Sequence, residues 1–583
     1  MAGGDKRRSV IPDEQNVVSG LMREFSEMTT WRNTYAGQLE EAAQLIWPEY
    51  RNTFFYGSYT WPGAKKTQQQ VDATGMLGLQ RFAAILDSLL TPANLQWHAL
   101  EADDEYVMKD RDTRLYFDTL TRLLFRYRNN PHSNFRGQNN ARWRMIGAFG
   151  NCAMFTDAFD GRQHHNARGV RYRSVPFGET FFGENHQGLV DRIYRWFRLT
   201  AYQAVQKFGE QWLPTQLKPA YERGDQWPYD FIHVVKPRDD YDRNRIDAKG
   251  MPWSSHYVSI EGQCLMKEEG GYRTFPYAVS RYDVAPREVY GRGPAQMILP
   301  ALKTLNAQKS TFLKQGHRAA DPVLLTADDG VIGMDLRPGA INKGGVSQQG
   351  QELVKILPSG NIQIAKEMMA EERALIDDMF LVQLFRLASD QRVMTATQVI
   401  EMINEKGILV GPSLGQQEPT LSAQIEREID VLSYQGLMPP MPPRLREARG
   451  QYHVVYTSPL ALQQRGSGAA AGFMRTVETA KEVVNITQDP SFLDWANFDV
   501  ALPEIARFQG TYERWMNDDR AIAKKRQSRA QQEQQKMQIQ ALPNQAAMIS
   551  AQAKMAKAQP GLAPGQQGMG GPQQQALPEP QAA

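Results

Sequence analysis

Apolar residues recur at three- and four-residue spacing over residues 14–47, as Leu21, Phe25 and Met28, then Leu39, Ala43 and Ile46. That spacing predicts one long helix, ended by Pro48. An aromatic- and Gly-rich loop follows at 56–63. A second helix is predicted over 67–90, with Leu77, Leu79, Phe82, Ile85, Leu86 and Leu89 as its apolar set and Thr91-Pro92 as its stop. A third is predicted over 106–128 and a fourth over 134–150.

The period then changes. Short alternating runs, such as 170–175 and 256–260, are separated by turn dipeptides including Asp160-Gly161 and Lys249-Gly250. Residues 152–282 therefore read as an antiparallel sheet region with one helix inserted at 200–209. Helical spacing returns from Pro294, and residues 295–318 would span about 36 Å as a helix. In it Ile298, Leu302, Leu305, Phe312 and Leu313 share a face, while Lys303, Lys314, His317 and Arg318 gather towards the other side. That pattern describes a core-facing helix with a solvated basic back; a stripe facing a channel is the sharper reading. Pro300 should kink this helix or mark its first turn.

Residues 321–359 mix strand-like pieces, 323–326 and 353–357, with Gly-rich turns. Helices are predicted again over 362–387, 396–406, 422–434, 469–485 and 502–523. The helix at 362–387 has Met368, Leu375, Met379 and Val382 as its apolar set and Glu367, Glu371 and Asp378 on one side. After Trp515 there is no aromatic residue, and sixteen glutamines fall between Gln527 and Gln581. Residues 526–557 suit a polar helix interrupted by Pro543; beyond 559 the chain is low-complexity and expected to be disordered.

Composition narrows the function. The 583 residues allow several folding units, and 41% hydrophobic content allows a core. A net charge of +3 argues against tight nucleic-acid binding, although a protein can surround DNA without gripping it. Two distant cysteines, Cys152 and Cys264, suggest neither a disulfide framework nor a metal pair. No window approaches the roughly 18 apolar residues of a membrane span, and no signal-peptide pattern opens the chain.

Catalytic signatures are lacking. Gly291-Arg292-Gly293-Pro294-Ala295 resembles the start of a phosphate loop, but no Gly-Lys-Ser/Thr follows. His164-His165 are adjacent and so point apart, which suits a solvated turn better than a metal pair. Asp103-Asp104-Glu105 and Asp239-Asp240 read as solvated clusters, and there is no GxSxG elbow. No catalytic residue, cofactor or metal is expected.

Several motifs, taken in order, carry a resemblance. Val71-Asp72-Ala73-Thr74-Gly75 opens a helix that ends at Thr91-Pro92-Ala93-Asn94 before Trp97. Gly147-Ala148-Phe149-Gly150-Asn151-Cys152-Ala153 follows. The most specific piece is Glu288-Val289-Tyr290-Gly291-Arg292-Gly293-Pro294-Ala295, with Leu299-Pro300, Leu305-Asn306 and Asp321-Pro322 behind it. Met394-Thr395-Ala396-Thr397-Gln398-Val399, Gly411-Pro412 and Tyr456-Thr457-Ser458-Pro459-Leu460-Ala461 complete the series. Together they resemble the head-to-tail connector (portal) family of short-tailed bacteriophages, the podoviruses. Gln398 departs from that pattern, standing where an acidic residue is common.

The resemblance implies an α+β, mainly helical portal fold, divided as follows. A wing covers 1–285, helical first and then β-rich. A stem helix at 286–320 leads to an α/β clip at 321–361 and a second stem helix at 362–387. A channel loop at 388–395 precedes wing and crown helices at 396–510. A barrel-like helix covers 511–557 and a disordered tail 558–583. Tyr290, Gly291, Gly293 and Pro294 mark the stem motif. Arg392 and Gln391, with Lys303, Lys314 and Arg318, are the residues expected to face the channel and DNA. The implied assembly is a ring, usually a dodecamer, at one capsid vertex of the virion, assembled in the host cytoplasm. Implied partners are double-stranded DNA, the terminase large subunit, a tail adaptor, and the major capsid and scaffolding proteins, with no membrane. The rival readings are a capsid or tail-adaptor protein that never surrounds DNA, and an enzyme acting on nucleic acid.

Overall fold

The computed structural model describes residues 12–58, 63–159, 161, 167–321, 324–326, 335, 341, 346–356, 362–382, 415–458, 461, 469–487, 496–508, 513–517 and 520–536. The chain forms two units, Met1–Glu513 and Arg514–Ala583.

In the first unit, helix α1 (Pro12–Ile46) runs as the spacing predicts. Its first half lays Val18, Leu21 and Phe25 on one face of a sheet, and its second half enters the main core. Helix α2 (Thr74–Leu90) begins seven residues later than its pattern suggests. The amides of Val71 and Asp72 are taken by Asn306 Oδ1 instead of entering a helical turn. Leu77, assigned to its apolar set, is exposed. The third predicted helix is two, α3 (Glu105–Met108) and α4 (Arg111–Arg128), because Asp110 accepts a hydrogen bond from Thr113 N and starts a new N-terminus. Helix α5 (Phe135–Phe149) follows and ends at Gly150.

The β-rich region is antiparallel throughout. A sheet of six strands runs β4 (Thr180–Glu184), β5 (Val190–Thr200), β6 (Pro228–Pro237), β7 (Trp253–Ser259) and β8 (Cys264–Leu265), with β9 (Gly270–Tyr272) also on β7. Beside it, β2 (Asn151–Ala158) sits between β3 (Val170–Val175) and β10 (Tyr277–Arg281). The inserted helix α6 (Ala201–Phe208) lies where its pattern places it, with a Thr200/Gln203 capping box. A short helix α7 (Lys218–Glu222) precedes β6.

Past the sheets, α8 (Pro294–Met297) and α9 (Leu299–Ala320) replace the single helix expected over 295–318; Ile298 separates them and Pro300 occupies the first turn of α9. Strands β11 (Leu324–Thr326) and β12 (Val354–Ile356) pair as the mixed segment suggests. Helix α10 (Ile362–Met379) is broken inside the expected span: Phe380 and Leu381 form a turn, with Leu381 at a left-handed φ of +58°, residue 382 is helical again, and 383–387 lie outside the described residues.

Helix α11 (Glu418–Tyr434) packs across β2 and β10, and α12 (Pro443–Glu447) leads to β13 (Tyr452–Tyr456), which pairs with β1 (His98–Ala102). Helices α13 (Ala469–Thr487) and α14 (Phe498–Phe508) complete this unit. The helix expected over 502–523 is interrupted: α14 ends at Phe508, Glu513–Trp515 form a 3-10 turn, residues 516–517 are not helical, and residues 520–536, in the second unit, are helical. The fold is thus α+β with helix predominating.

Candidate functional site: a helical hairpin and the glycine clasp at its root

The hairpin is α9, β11, β12 and α10. At about 1.5 Å per residue, the 22 residues of α9 extend about 33 Å. Its buried residues, Leu299, Leu302 and Leu305, lie at its near end, and Phe312 packs half-buried against the same core.

Two motifs far apart in sequence form that root. Gly150 closes α5 at φ +69°, and its carbonyl accepts from Tyr282 N (2.9 Å). The Asn151 side chain then clasps Gly291 from both sides: Nδ2 donates to Gly291 O (2.7 Å), and Oδ1 accepts from Gly291 N (2.7 Å). A Cβ on Gly293 would lie 2.5 Å from Ile146 O, so the chain passes too close to α5 for any other residue. Gly293 N is bound by Gln296 Oε1 and Arg292 N by Asp283 O. These amides are engaged, so the glycines serve close packing and not a phosphate cradle. Tyr290 is buried against Phe182, Tyr35 and Phe177, and burial pushes its hydroxyl up to about 12. Pro294 opens α8 with its fixed φ.

Further ties hold both helices of the hairpin. Leu299, Leu302 and Leu305 are buried, with Leu302 against Gly75 of α2. Asn306 accepts from Val71 N and Asp72 N and donates to Gln69 O. Asp72 accepts from Arg373 of α10 (2.7 Å) and from Thr74 N (2.9 Å). On α10, Met369 and Ile376 are buried, and just past it the buried Phe380 ring fills the notch left by Gly78.

Burial opposes the Asp72 carboxylate, but hydrogen bonds from Thr74 and Arg373 and the guanidinium charge hold its pKa below the usual value. A depressed carboxylate pKa gives stability that is present above its unfolded value, near 4. That stability is lost as pH falls through the folded value. Asp72→Asn should therefore cost about 1–3 kcal/mol at pH 7, and the gap to the parent should close below about pH 4. Melting curves of both proteins at pH 7 and pH 3 check this; an equal gap at both would contradict it.

Beyond the root, the hairpin leaves the core. Lys314, His317 and Arg318 are exposed on α9, and Leu313, placed with the core-facing set by its spacing, is 42% exposed. On α10, Met368 and Leu375 were expected on the packed face; they are 50% and 54% exposed, and the adjacent Met369 and Ile376 pack instead. With Ile364, also exposed, they form a stripe within about 40° of arc, flanked by Glu367, Glu371 and Asp378. Leu325, Val346 and Leu353, by the distal strands, are exposed too.

Of the residues expected to face a channel, Lys303 is tied to Glu41 of α1 (2.6 Å), while Lys314 and Arg318 lie on the outward face of α9. Gln391 and Arg392 lie outside the described residues, as do Thr395 with the helix expected after it, and His164-His165. The acidic clusters have structural partners: Asp103 meets His453, Asp104 caps α3, and Asp240 pairs with Lys249 and Arg238. Among the described residues, no group of His, Cys, Asp and Glu is arranged to hold a metal, and no helix is long and apolar enough to cross a membrane.

One buried assembly had no sequence signal, because its bonded partners lie up to 300 residues apart. Arg128 of α4 forks onto Glu428 of α11 (Nη2 to Oε2, 2.5 Å), both side chains being 1% exposed. Arg128 Nη1 donates to His98 Nε2 (2.9 Å), and burial, then the guanidinium charge, hold the His98 pKa well below its ordinary value. Gln424 donates to Glu428 and accepts from Arg142, which also donates to Ser280. These bonds fasten α11 to α4, α5 and β10.

A family model for the bacteriophage head to tail connecting protein matches residues 19–516. The chain belongs to that family. The "Probable portal protein" of Bordetella phage BPP-1 is 24% identical over 554 residues, covering 91% of this chain and 94% of the relative. The "Portal protein" of Salmonella phage epsilon15 is 22% identical over 524 residues, covering 88% and 91%. A chain from the neck of an empty GTA particle is similar at a TM-score of 0.30 and 13% identity, covering 65% of this chain and 84% of that one. The family supports a structural head-to-tail connector role for a phage particle component.

Proposed function

We propose that this connector is a portal subunit. Its copies form a ring at one capsid vertex, and double-stranded DNA enters and leaves through the centre. The observation that carries the reading is the hairpin. It is fixed at its root, yet it displays an apolar stripe edged with acids on α10 and a basic face on α9. Two different faces of one chain that complement each other make a head-to-tail contact, and such contacts form rings where the rotation between copies closes.

In this reading α9 and α10 are the stem. The segment between them, about 321–361, is the clip that docks the terminase large subunit and then the tail adaptor. Lys314 and Arg318, with Arg392 after α10, present charge to the channel or to the neighbouring stem, and Gln391 presents a neutral amide. Cationic rings there would make weak, salt-sensitive phosphate contacts without reading bases. A dodecamer, contacts with capsid and scaffolding proteins, and assembly in the host cytoplasm belong to the same proposal. The mechanism is geometric and electrostatic, with no catalytic step.

Met368→Glu with Leu375→Glu should leave each subunit folded, since exposed substitutions usually shift stability by about 0.5 kcal/mol or less. The same pair should convert rings to monomers. Light scattering on the eluting protein measures this; rings of unchanged mass would contradict the stem assignment.

A further inference from the structure

We propose that the helix over residues 520–536 is a second DNA-contact element, binding the phosphate backbone of duplex DNA without regard to sequence. The inference rests on the portal reading for its partner, but its evidence is separate from the hairpin.

The charge of this protein is unevenly distributed. The second unit, Arg514–Ala583, has nine Lys or Arg against four Asp or Glu, a net +5. The whole chain is only +3, so the first unit is net −2. Within the helix the bias is stronger: Arg520, Lys524, Lys525, Arg526, Arg529 and Lys536 face a single acid, Glu533. Residues 523–536 are exposed throughout. The helix is about 25 Å long, so a cation recurs about every 4 Å beside a partner that carries one negative charge per roughly 1.7 Å.

The chemistry of the other faces selects the polyanion. A helix that lies on an anionic membrane needs an apolar face to bury. Here Ile522 is the one large apolar side chain, and the remainder is Gln, Ala and Ser with the charges. Packing of several copies around a ring axis would also place like charges side by side, an arrangement favoured only with an anion among them. Duplex DNA supplies that anion, and repetition around a ring turns weak contacts into useful avidity.

The test uses the full-length assembly and a variant carrying Lys524→Gln, Lys525→Gln, Arg526→Gln and Arg529→Gln. Glutamine keeps a similar helix propensity, so the helix should persist. Binding of a short random-sequence duplex is measured by anisotropy over a salt series, alongside vesicles containing anionic lipid. Particle images are taken of both proteins, so that ring formation, which tests the portal reading, is read separately. The expected result is intact variant rings that bind the duplex on the order of tenfold more weakly at moderate salt, with a shallower salt dependence. Variant rings with unchanged duplex affinity and slope would overturn the proposal. So would parent protein that binds the vesicles as tightly as the duplex.

Discussion

Gly150→Ala should cost about 2–5 kcal/mol, a large fraction of the roughly 5–15 kcal/mol by which a folded domain is stable. Two effects add. The left-handed φ of +69° disfavours any L side chain by about 1–2 kcal/mol. The new Cβ would also press on the backbone of Arg292 and Gly293 and lie 2.6 Å from Gly291 O. Backbone cannot swing aside as a side-chain tip does, so the overpacking adds about 1–3 kcal/mol. The root of α8 and α9 would separate from α5, and the Asn151 clasp with it. Gly188→Ala is the control: φ is +77°, but nothing lies within 4 Å of the added Cβ. It should cost only the backbone share. Urea midpoints of the two variants check the pair, and equal midpoints would mean that the close approach carries no weight.

Arg128→Met should cost a similar amount, about 3–5 kcal/mol, because it strands the Glu428 carboxylate in the core. Gln424 would still donate to it, but the bidentate charge partner is gone. His98 Nε2 would lose its donor as well. Arg128→Met with Glu428→Met removes both charges and should recover most of the loss, since an apolar pair of similar volume is often as stable as a buried ion pair. A double variant no more stable than the single one would show that the site depends on the arginine's packing against Trp97 and Phe125 and not on charge.

Much of this fold is legible from sequence where local signals decide it. Helix α6 carries its own cap, and β11 and β12 stand out between Gly-rich turns. The glycines at 150, 291 and 293 also stand out, but what they do does not: their meaning is a mutual approach across 140 residues. The break in α10 at Phe380 and Leu381 has no Gly or Pro signal, since Phe380 is drawn into the Gly78 notch by tertiary packing. The face of α10 is ambiguous for a definite reason. Apolar residues stand side by side at Met368-Met369 and Leu375-Ile376, so the helix has two apolar stripes. The single chain buries Met369 and Ile376. The other stripe is the one the ring is proposed to cover, which is why a pattern read for one core selects it.

In the proposed assembly, copies of this chain surround DNA. Electron microscopy of the purified protein without DNA tests it most directly. Closed rings whose central hole is wide enough to pass a duplex are the expected images. Monomers at assembly concentrations, or compact oligomers with no central hole, would contradict it.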